Sequence, residues 1–269
     1  RQRMGNFSVL RPFMEHSTPP TETMKQLVTT LSFLLLPLVA MGQPTNAMEA
    51  LQANIDATGG TEAWMAVNPL VTKGSREMDM PGTHMSGTFE DYQQFPGLSR
   101  MIMETQSPMG SMKQETLQTP DGAWNLVRGA WSAREDADML RAYGPKTELT
   151  LLGHPDVEIT SFESGEPNGT PVWIVNFSFD DEEYTRHYRQ SDNLLVAARR
   201  ADRWSYFEDH REVGDLIVPH KVTSEAVARM NRNGDVQEIQ IVVVSMTEEI
   251  AINQELAPEL FTRGSGPAK

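Results

Sequence analysis

The chain has 269 residues, no cysteine, and 37 acidic against 23 basic side chains, for a formal charge of −14. The missing cysteines exclude disulfides, thiolate metal sites and thiol nucleophiles. The negative surface repels phosphate backbones and anionic lipid leaflets, which argues against nucleic-acid binding and against permanent attachment to such a leaflet.

Residues 1–23 lie upstream of a better start at Met24 and are predicted to be an unstructured extension. Met24-Lys25 leads into an apolar run over residues 27–41, interrupted by small polar residues and Pro37. That pattern is a secretory signal peptide over 24–42, with Ala40-Met41-Gly42 as the expected cleavage site. The run is short for a membrane span, and no second one of its length follows. No cysteine is available after it to carry a lipid, so the mature chain is expected to be soluble, without a permanent membrane anchor. Periplasmic residence follows as the expectation, with an extracellular location as the alternative. Removing residues 1–42 takes away four basic and two acidic groups and leaves a charge of about −16 on residues 43–269.

Residues 43–269 read as a single domain. Met48, Leu51 and Ile55 fall at helical spacing, and Gly59-Gly60 supplies a helix stop. Thr61 is placed to cap a second short turn carrying Trp64, Met65 and Val67, which Asn68-Pro69 ends. The period then changes to two. Strands are predicted at Leu70–Met78, Met85–Tyr92, Leu98–Thr105, Ser111–Leu117 and Ala123–Val127, with proline and glycine turns between most of them. Ser132-Ala-Arg-Glu135 has capping-box spacing and predicts a helix through Ala142, while Thr147–Gly153 is ambiguous between helix and strand. Strands return at Val157–Glu163, Pro171–Phe179, Glu183–Arg189, Leu194–Arg200, Arg203–Asp209, Leu216–Glu225 and Val236–Met246. The clearest hairpin is Trp204–Lys221, turned at Val213-Gly214-Asp215, with Pro219 expected at an edge or strand end. About eleven strands against three helices predict an α+β fold dominated by β structure. Its core is one wide antiparallel sheet that curls and is covered by short helices.

Read in this order, the mature chain resembles the LolA-like superfamily, the periplasmic lipoprotein carriers and outer membrane lipoprotein-sorting proteins. The resemblance rests on the opening helix ending in Ala57-Thr-Gly-Gly60, on Thr72-Lys-Gly74, on Gly87-Thr-Phe-Glu-Asp-Tyr92 and on Asp121-Gly-Ala-Trp124. Further along it rests on Asn193-Leu-Leu195, on Tyr206–Gly214 running to Val218-Pro-His220, and on Ile252-Asn253 to Leu260-Phe261. It spans most of residues 48–262. It implies an incomplete antiparallel barrel with helices across its concave side. It also implies an apolar cavity that binds acyl chains, lipids or a lipidated protein without chemistry. The absent lipid-bearing cysteine matches the soluble carrier type.

Candidate cavity residues follow from apolar patterning. The chain has 16 methionines, and Met101, Met103, Met109 and Met112 cluster in two neighbouring predicted strands. Flexible thioethers suit a surface that accepts a variable alkyl chain, and ordinary core packing explains them equally. Met101, Met103, Trp124 and Leu126 are the candidates from the first half. Trp173, Val175, Phe177 and Phe179, one continuous apolar face of a strand, are those from the second. No catalytic or metal constellation emerges. The histidines lack helical ligand spacing, consecutive strand residues such as Asp209 and His210 point to opposite faces, and Ser132 and Ser205 lack a nucleophile-elbow context. The expected protein is therefore a cofactor-free exported carrier involved in lipoprotein sorting or envelope maintenance. The alternatives are a hydrolase or metalloprotein with a site assembled from distant residues, and a non-catalytic domain that docks an envelope partner.

Overall fold

The alternating patterns described above assemble into one antiparallel sheet, and pairing between its first and last strands sets its topology. The computed structural model describes residues 43–107, 110–134, 145–179, 182–232 and 235–264; the predicted signal peptide and upstream extension lie outside these. The strands are β1 (Leu70–Met80), β2 (Thr83–Gln94), β3 (Leu98–Ser107), β4 (Gly110–Thr119), β5 (Gly122–Val127), β6 (Ala130–Arg134), β7 (Glu158–Gly165), β8 (Val172–Phe179), β9 (Glu182–Arg189), β10 (Leu195–Arg200), β11 (Arg203–Val213), β12 (Leu216–Arg232) and β13 (Asp235–Ile252). The helices are α1 (Ala47–Ala57), α2 (Gly60–Ala66) and α3 (Pro145–Gly153).

The strand order is β6-β5-β4-β3-β2-β1-β13-β12-β11-β10-β9-β8-β7. Every neighbour is also a neighbour in sequence except β1 and β13, which pair antiparallel from Leu70↔Ile252 to Asp79↔Val242. The meander therefore meets itself through its ends and stays open between β6 and β7. This is the curled, helix-covered antiparallel sheet that the patterning predicts and the incomplete barrel that the resemblance implies.

Three local expectations are corrected and one ambiguity is resolved. Ser132, Ala133 and Arg134 lie in β6 rather than in a helix, paired to β5 through Trp131↔Leu126 and Ala133↔Trp124. A short capping signal loses here to a ladder that gives both tryptophans cross-strand neighbours. The rest of that predicted helix, residues 135–144, lies outside the described residues, and the helix of this region is α3, which takes the ambiguous 147–153 segment. Pro219 sits inside β12 opposite His210, where Asp209 at φ 54° interrupts regular pairing. Met48 is 45% exposed, because the buried stripe of α1 is Ala47, Ala50, Leu51, Asn54 and Ile55.

Polar side chains fix the opening helix at both ends. Asn46 Oδ1 accepts from the Glu49 amide at 3.0 Å, and Asn46 Nδ2 donates to Glu49 Oε1 at 2.8 Å, a reciprocal N-cap. At the other end Gly59 has φ 125°, and a Cβ there would stand 2.5 Å from Asp215 O. Only glycine meets both demands, and the close approach lets Ile217 N donate to Thr58 O at 3.0 Å. The end of α1 is thus tied to β12. Trp64 of α2 donates through Nε1 to the same Thr58 carbonyl at 3.0 Å and is 1% exposed.

Two apolar clusters hold the layers together. One joins α1 and α3 to β7, β8 and β9 through Leu51, Leu151, Val175, Phe177, Tyr184 and Tyr188. The other joins α2 to the Leu70 end of β1 and the Leu216 end of β12 through Trp64, Val67 and Val218, with Leu149 of α3 packed against it. The helices accordingly cover β7–β9 and one end of the central strands.

Candidate ligand-binding face

Directly paired residues in an antiparallel ladder share a face, so the register sorts every side chain of the sheet. From the helix-packed residues Leu70 and Ile252, the same face passes through Thr72, Gly74, Arg76 and Met78 on β1. It continues through Met85, Phe89, Asp91 and Gln93 on β2, Met101, Met103 and Thr105 on β3, and Met112, Gln114 and Thr116 on β4. On β13 it holds Val243, opposite Met78.

Met101 and Met103 therefore lie on the helix-bearing face. Trp124 and Leu126 do not. Leu117↔Trp124 and Glu115↔Leu126 share the face of Arg100 and Ile102, opposite to that of the two methionines. That outer face is covered by the C-terminal segment. The 3-10 turn Pro258–Phe261 lies against β3 and β4, Arg100 Nη1 donates to Leu260 O at 2.7 Å, and the Arg263 guanidinium stands 4.3 Å from the Trp124 ring centroid. The sequence expectation that Trp124 faces the same interior as Phe177 and Phe179 is corrected by this register: Trp124 packs under the chain's own tail.

Trp173, Val175, Phe177 and Phe179 share the helix-bearing face of β8, but they are filled in. Val175 is 0% and Phe177 1% exposed, Phe177 stacks on Tyr184 at 5.0 Å, Trp173 stacks on Phe162 at 5.7 Å, and Phe179 meets His154 edge-on at 4.9 Å. These are core contacts. Within this core, Glu148 of α3 is 1% exposed, with Oε1 3.4 Å from Arg186 Nε and accepting from the Tyr188 hydroxyl at 3.2 Å. Burial raises the Glu148 carboxyl above its ordinary range against the pull of Arg186, and raises the Tyr188 phenol further still.

The β1–β4 part of the same face differs in kind. Met78, Met85, Phe89, Met101, Met103 and Met112 are all half-buried, and none belongs to either buried cluster. They extend from the Thr72 row, next to helix-packed Leu70, towards the far ends of the strands. Five thioethers and one ring on adjacent strands, with Arg76 among them donating through Nη1 to Met103 Sδ at 2.7 Å, form a deformable, largely apolar surface. At its inner border stand Asp91 and Gln93, both more than nine-tenths buried, with Gln93 Nε2 donating to Asp91 Oδ2 at 2.7 Å. Burial pushes the Asp91 carboxyl up to about 6, and the bond from Gln93 only partly offsets it. Gln93 Oε1 is buried without a hydrogen-bond partner.

Two open depressions also mark the molecule, the second of which shares Gly74 and Phe89 with this face. One, of about 350 Å³, is lined by Asp56, Gly59, Glu212, Gly214 and Asp215 among others, and the second, of about 410 Å³, by Lys73, Thr88, Phe89, Glu90 and Glu249 among others. Neither contains any of the eight candidate residues. Sequence reasoning missed the buried Asp91–Gln93 pair, although strict alternation from Met85 and Phe89 already puts both on the apolar side of β2. It also missed Glu148, whose helix was ambiguous.

Neither the known family models nor the curated protein sequences match this chain. Solved structures do. A LolA superfamily protein from Nitrosomonas europaea superposes with a TM-score of 0.55 at 10% identity, over 82% of this chain and 99% of that one. The chain has a LolA-like fold. A DUF1329 family protein from Desulfovibrio piger gives 0.51 at 10% identity, over 79% and 95% of the two chains. A domain assigned as an outer membrane lipoprotein-sorting protein, from Vibrio parahaemolyticus, gives 0.50 at 9% identity over 80% and 95%. In the LolA-like frame of this chain, the helix layer and the methionine surface share one side of the half-barrel. No helix among the described residues is long and apolar enough to cross a membrane.

Proposed function

We propose that this protein is a non-catalytic, exported carrier that shelters acyl chains, of a lipid or a lipidated protein, against the helix-bearing face of its half-barrel. The observation that carries this reading is the half-buried surface of Met78, Met85, Phe89, Met101, Met103 and Met112, on the side of the sheet where the helices pack. Met101 and Met103 are the sequence candidates that the reading retains. The LolA-like fold supports it, as does its likeness to a domain described as an outer membrane lipoprotein-sorting protein. The signal-peptide pattern of residues 24–42 supports a periplasmic address.

The energetics are adequate. Burying about twelve methylenes at ~0.8 kcal/mol each yields roughly 10 kcal/mol before the cost of association, so micromolar binding needs no strong polar anchor. A surface of flexible thioethers re-packs around chains of different length, which favours a class of hydrophobes over one compound.

The test is to isolate the exported protein from its own compartment, extract it with organic solvent and analyse the extract by mass spectrometry. Fatty acid or phospholipid near one per protein supports the carrier. An empty extract, with no uptake of a neutral fluorescent alkyl probe by the purified protein, overturns it. Met101→Glu places a charge on the half-buried surface and is expected to cut probe binding at least about tenfold with an unchanged circular dichroism spectrum. Phe177 is unsuitable for the same purpose, because it is buried in the core and a charge there tests folding instead.

A further inference from the structure

We infer that Asp91 and Gln93 receive the head group of the bound amphiphile, and that this head is a primary ammonium, which brings both positive charge and N–H donors. The inference rests on the carrier reading and narrows it to a ligand class.

The two side chains are acceptors awaiting donors. Among the described residues the donor that reaches Asp91 is the Gln93 amide, and that bond uses the Gln93 nitrogen, leaving its oxygen buried and unpartnered. A carboxylate with one hydrogen bond and an orphaned amide oxygen on one strand face is an unfavourable arrangement for a filled core, in which buried polar atoms are almost always satisfied. A ligand bearing several N–H groups and a positive charge satisfies both oxygens at once. A carboxylate or phosphate head would add repulsion to an acidic site in a chain of charge −14. A quaternary ammonium carries the charge without donors and leaves Gln93 Oε1 unsatisfied.

Position gives the second argument. Thr72↔Asp91↔Met101 and Gly74↔Phe89↔Met103 are successive rows of the same face, so the acceptors sit at the head of the methionine surface, on its helix-sheltered side. From Asp91 to Met85 is about 20 Å of strand at ~3.3 Å per residue, enough for one acyl chain, which spans about half of a ~30 Å bilayer core. Head and tail of one amphiphile are thereby accommodated on a single face.

The experiment titrates the purified full-length mature protein calorimetrically with four twelve-carbon probes below their micellar concentrations: dodecylamine, dodecyltrimethylammonium, dodecanol and dodecanoate. Dodecylamine is expected to bind about tenfold or more tighter than dodecanol and dodecyltrimethylammonium, the scale of a charge-assisted hydrogen bond, with dodecanoate weakest. Asp91→Asn and, separately, Gln93→Met should abolish most of that preference while leaving dodecanol affinity within about twofold. Circular dichroism confirms that each variant is folded, and either folded variant suffices. Equal binding of dodecylamine and dodecyltrimethylammonium, or a preference that survives in both variants, overturns the head-group assignment and leaves the carrier standing. Failure of all four probes, dodecanol included, overturns the carrier reading and this inference with it. A companion pair, lysophosphatidylethanolamine against lysophosphatidylcholine, reports whether the ammonium is read when presented on a phosphodiester; preference for the former places the source among ethanolamine lipids, and its absence assigns the site to simple long-chain amines.

Discussion

Glu148 on α3 and Arg186 on β9 meet at 3.4 Å in the core between the helix layer and the sheet, with side chains 1% and 11% exposed. The Arg186 guanidinium also lies 5.5 Å from the centroid of the Phe177 ring, so it is held between a carboxylate and an aromatic face. Two charges removed from water at this depth stabilise little as a pair and cost a great deal singly. Arg186→Met is therefore expected to lower unfolding free energy by about 3–5 kcal/mol, and Glu148→Leu with Arg186→Met to recover most of that loss. Urea midpoints of the single and double variants measure it. A double variant no more stable than the single would show that the pair contributes through something other than mutual compensation.

Asp91 gives a pH dependence of definite sign. Its folded pKa is raised to about 6 from 3.8, so between about pH 4 and pH 6 the folded state binds more protons than the unfolded one. Stability contributed by this group falls as pH rises through that window and is flat above it, a loss of about 3 kcal/mol at ~1.36 kcal/mol per unit. Asp91→Asn removes the loss. The variant is expected to gain on the wild type in denaturation at pH 7.5 relative to pH 4.5, other carboxylates cancelling in the difference. A wild-type-to-variant difference independent of pH would mean that Asp91 is solvated in the folded protein.

Close backbone approach predicts two intolerant glycines. A Cβ on Gly87 would stand 2.0 Å from Glu104 O, and one on Gly74 1.9 Å from Met246 O, both of them backbone atoms that cannot swing aside. Alanine at either position is expected to destabilise by more than about 2 kcal/mol, since the strands must part locally to admit a methyl group. Thermal unfolding of Gly87→Ala and Gly74→Ala checks this against Gly153→Ala, where the added methyl meets nothing within 4 Å and the backbone is not left-handed. Melting of the strand variants no lower than that control would rule out the tight approach.

The C-terminal turn is expected to behave as part of the sheet's outer cover. Phe261 is 8% exposed and Leu117, on the face the turn covers, 1%. Phe261→Ala should cost about 3 kcal/mol and loosen the segment, and Arg263→Ala alone much less, because an exposed cation over a ring contributes on the order of 0.5–1 kcal/mol. Hydrogen exchange across β3 and β4 separates the two, with faster exchange in the phenylalanine variant only.

The sequence by itself determined most of the strands, their antiparallel meander and the amphipathic helix over Met48–Ile55 that stops at Gly59, because these follow from near-neighbour rules: period two, turn residues and helical spacing. It also marked the methionine cluster of β3 and β4. Tertiary structure decided which side of the sheet each candidate serves. Period two makes Trp124 and Met101 each one of two alternating sets, and only the cross-strand register β3–β4–β5, together with helix packing on one face and the Pro258–Phe261 turn on the other, tells which set is which. The same holds for β6, where pairing with β5 overrode a capping signal, and for Glu148 and Arg186, 38 residues apart, whose burial depends on α3 being laid across β9. Local chemistry sets alternation; burial, and with it the chemistry of a carboxylate such as Asp91, is a property of what lies on top.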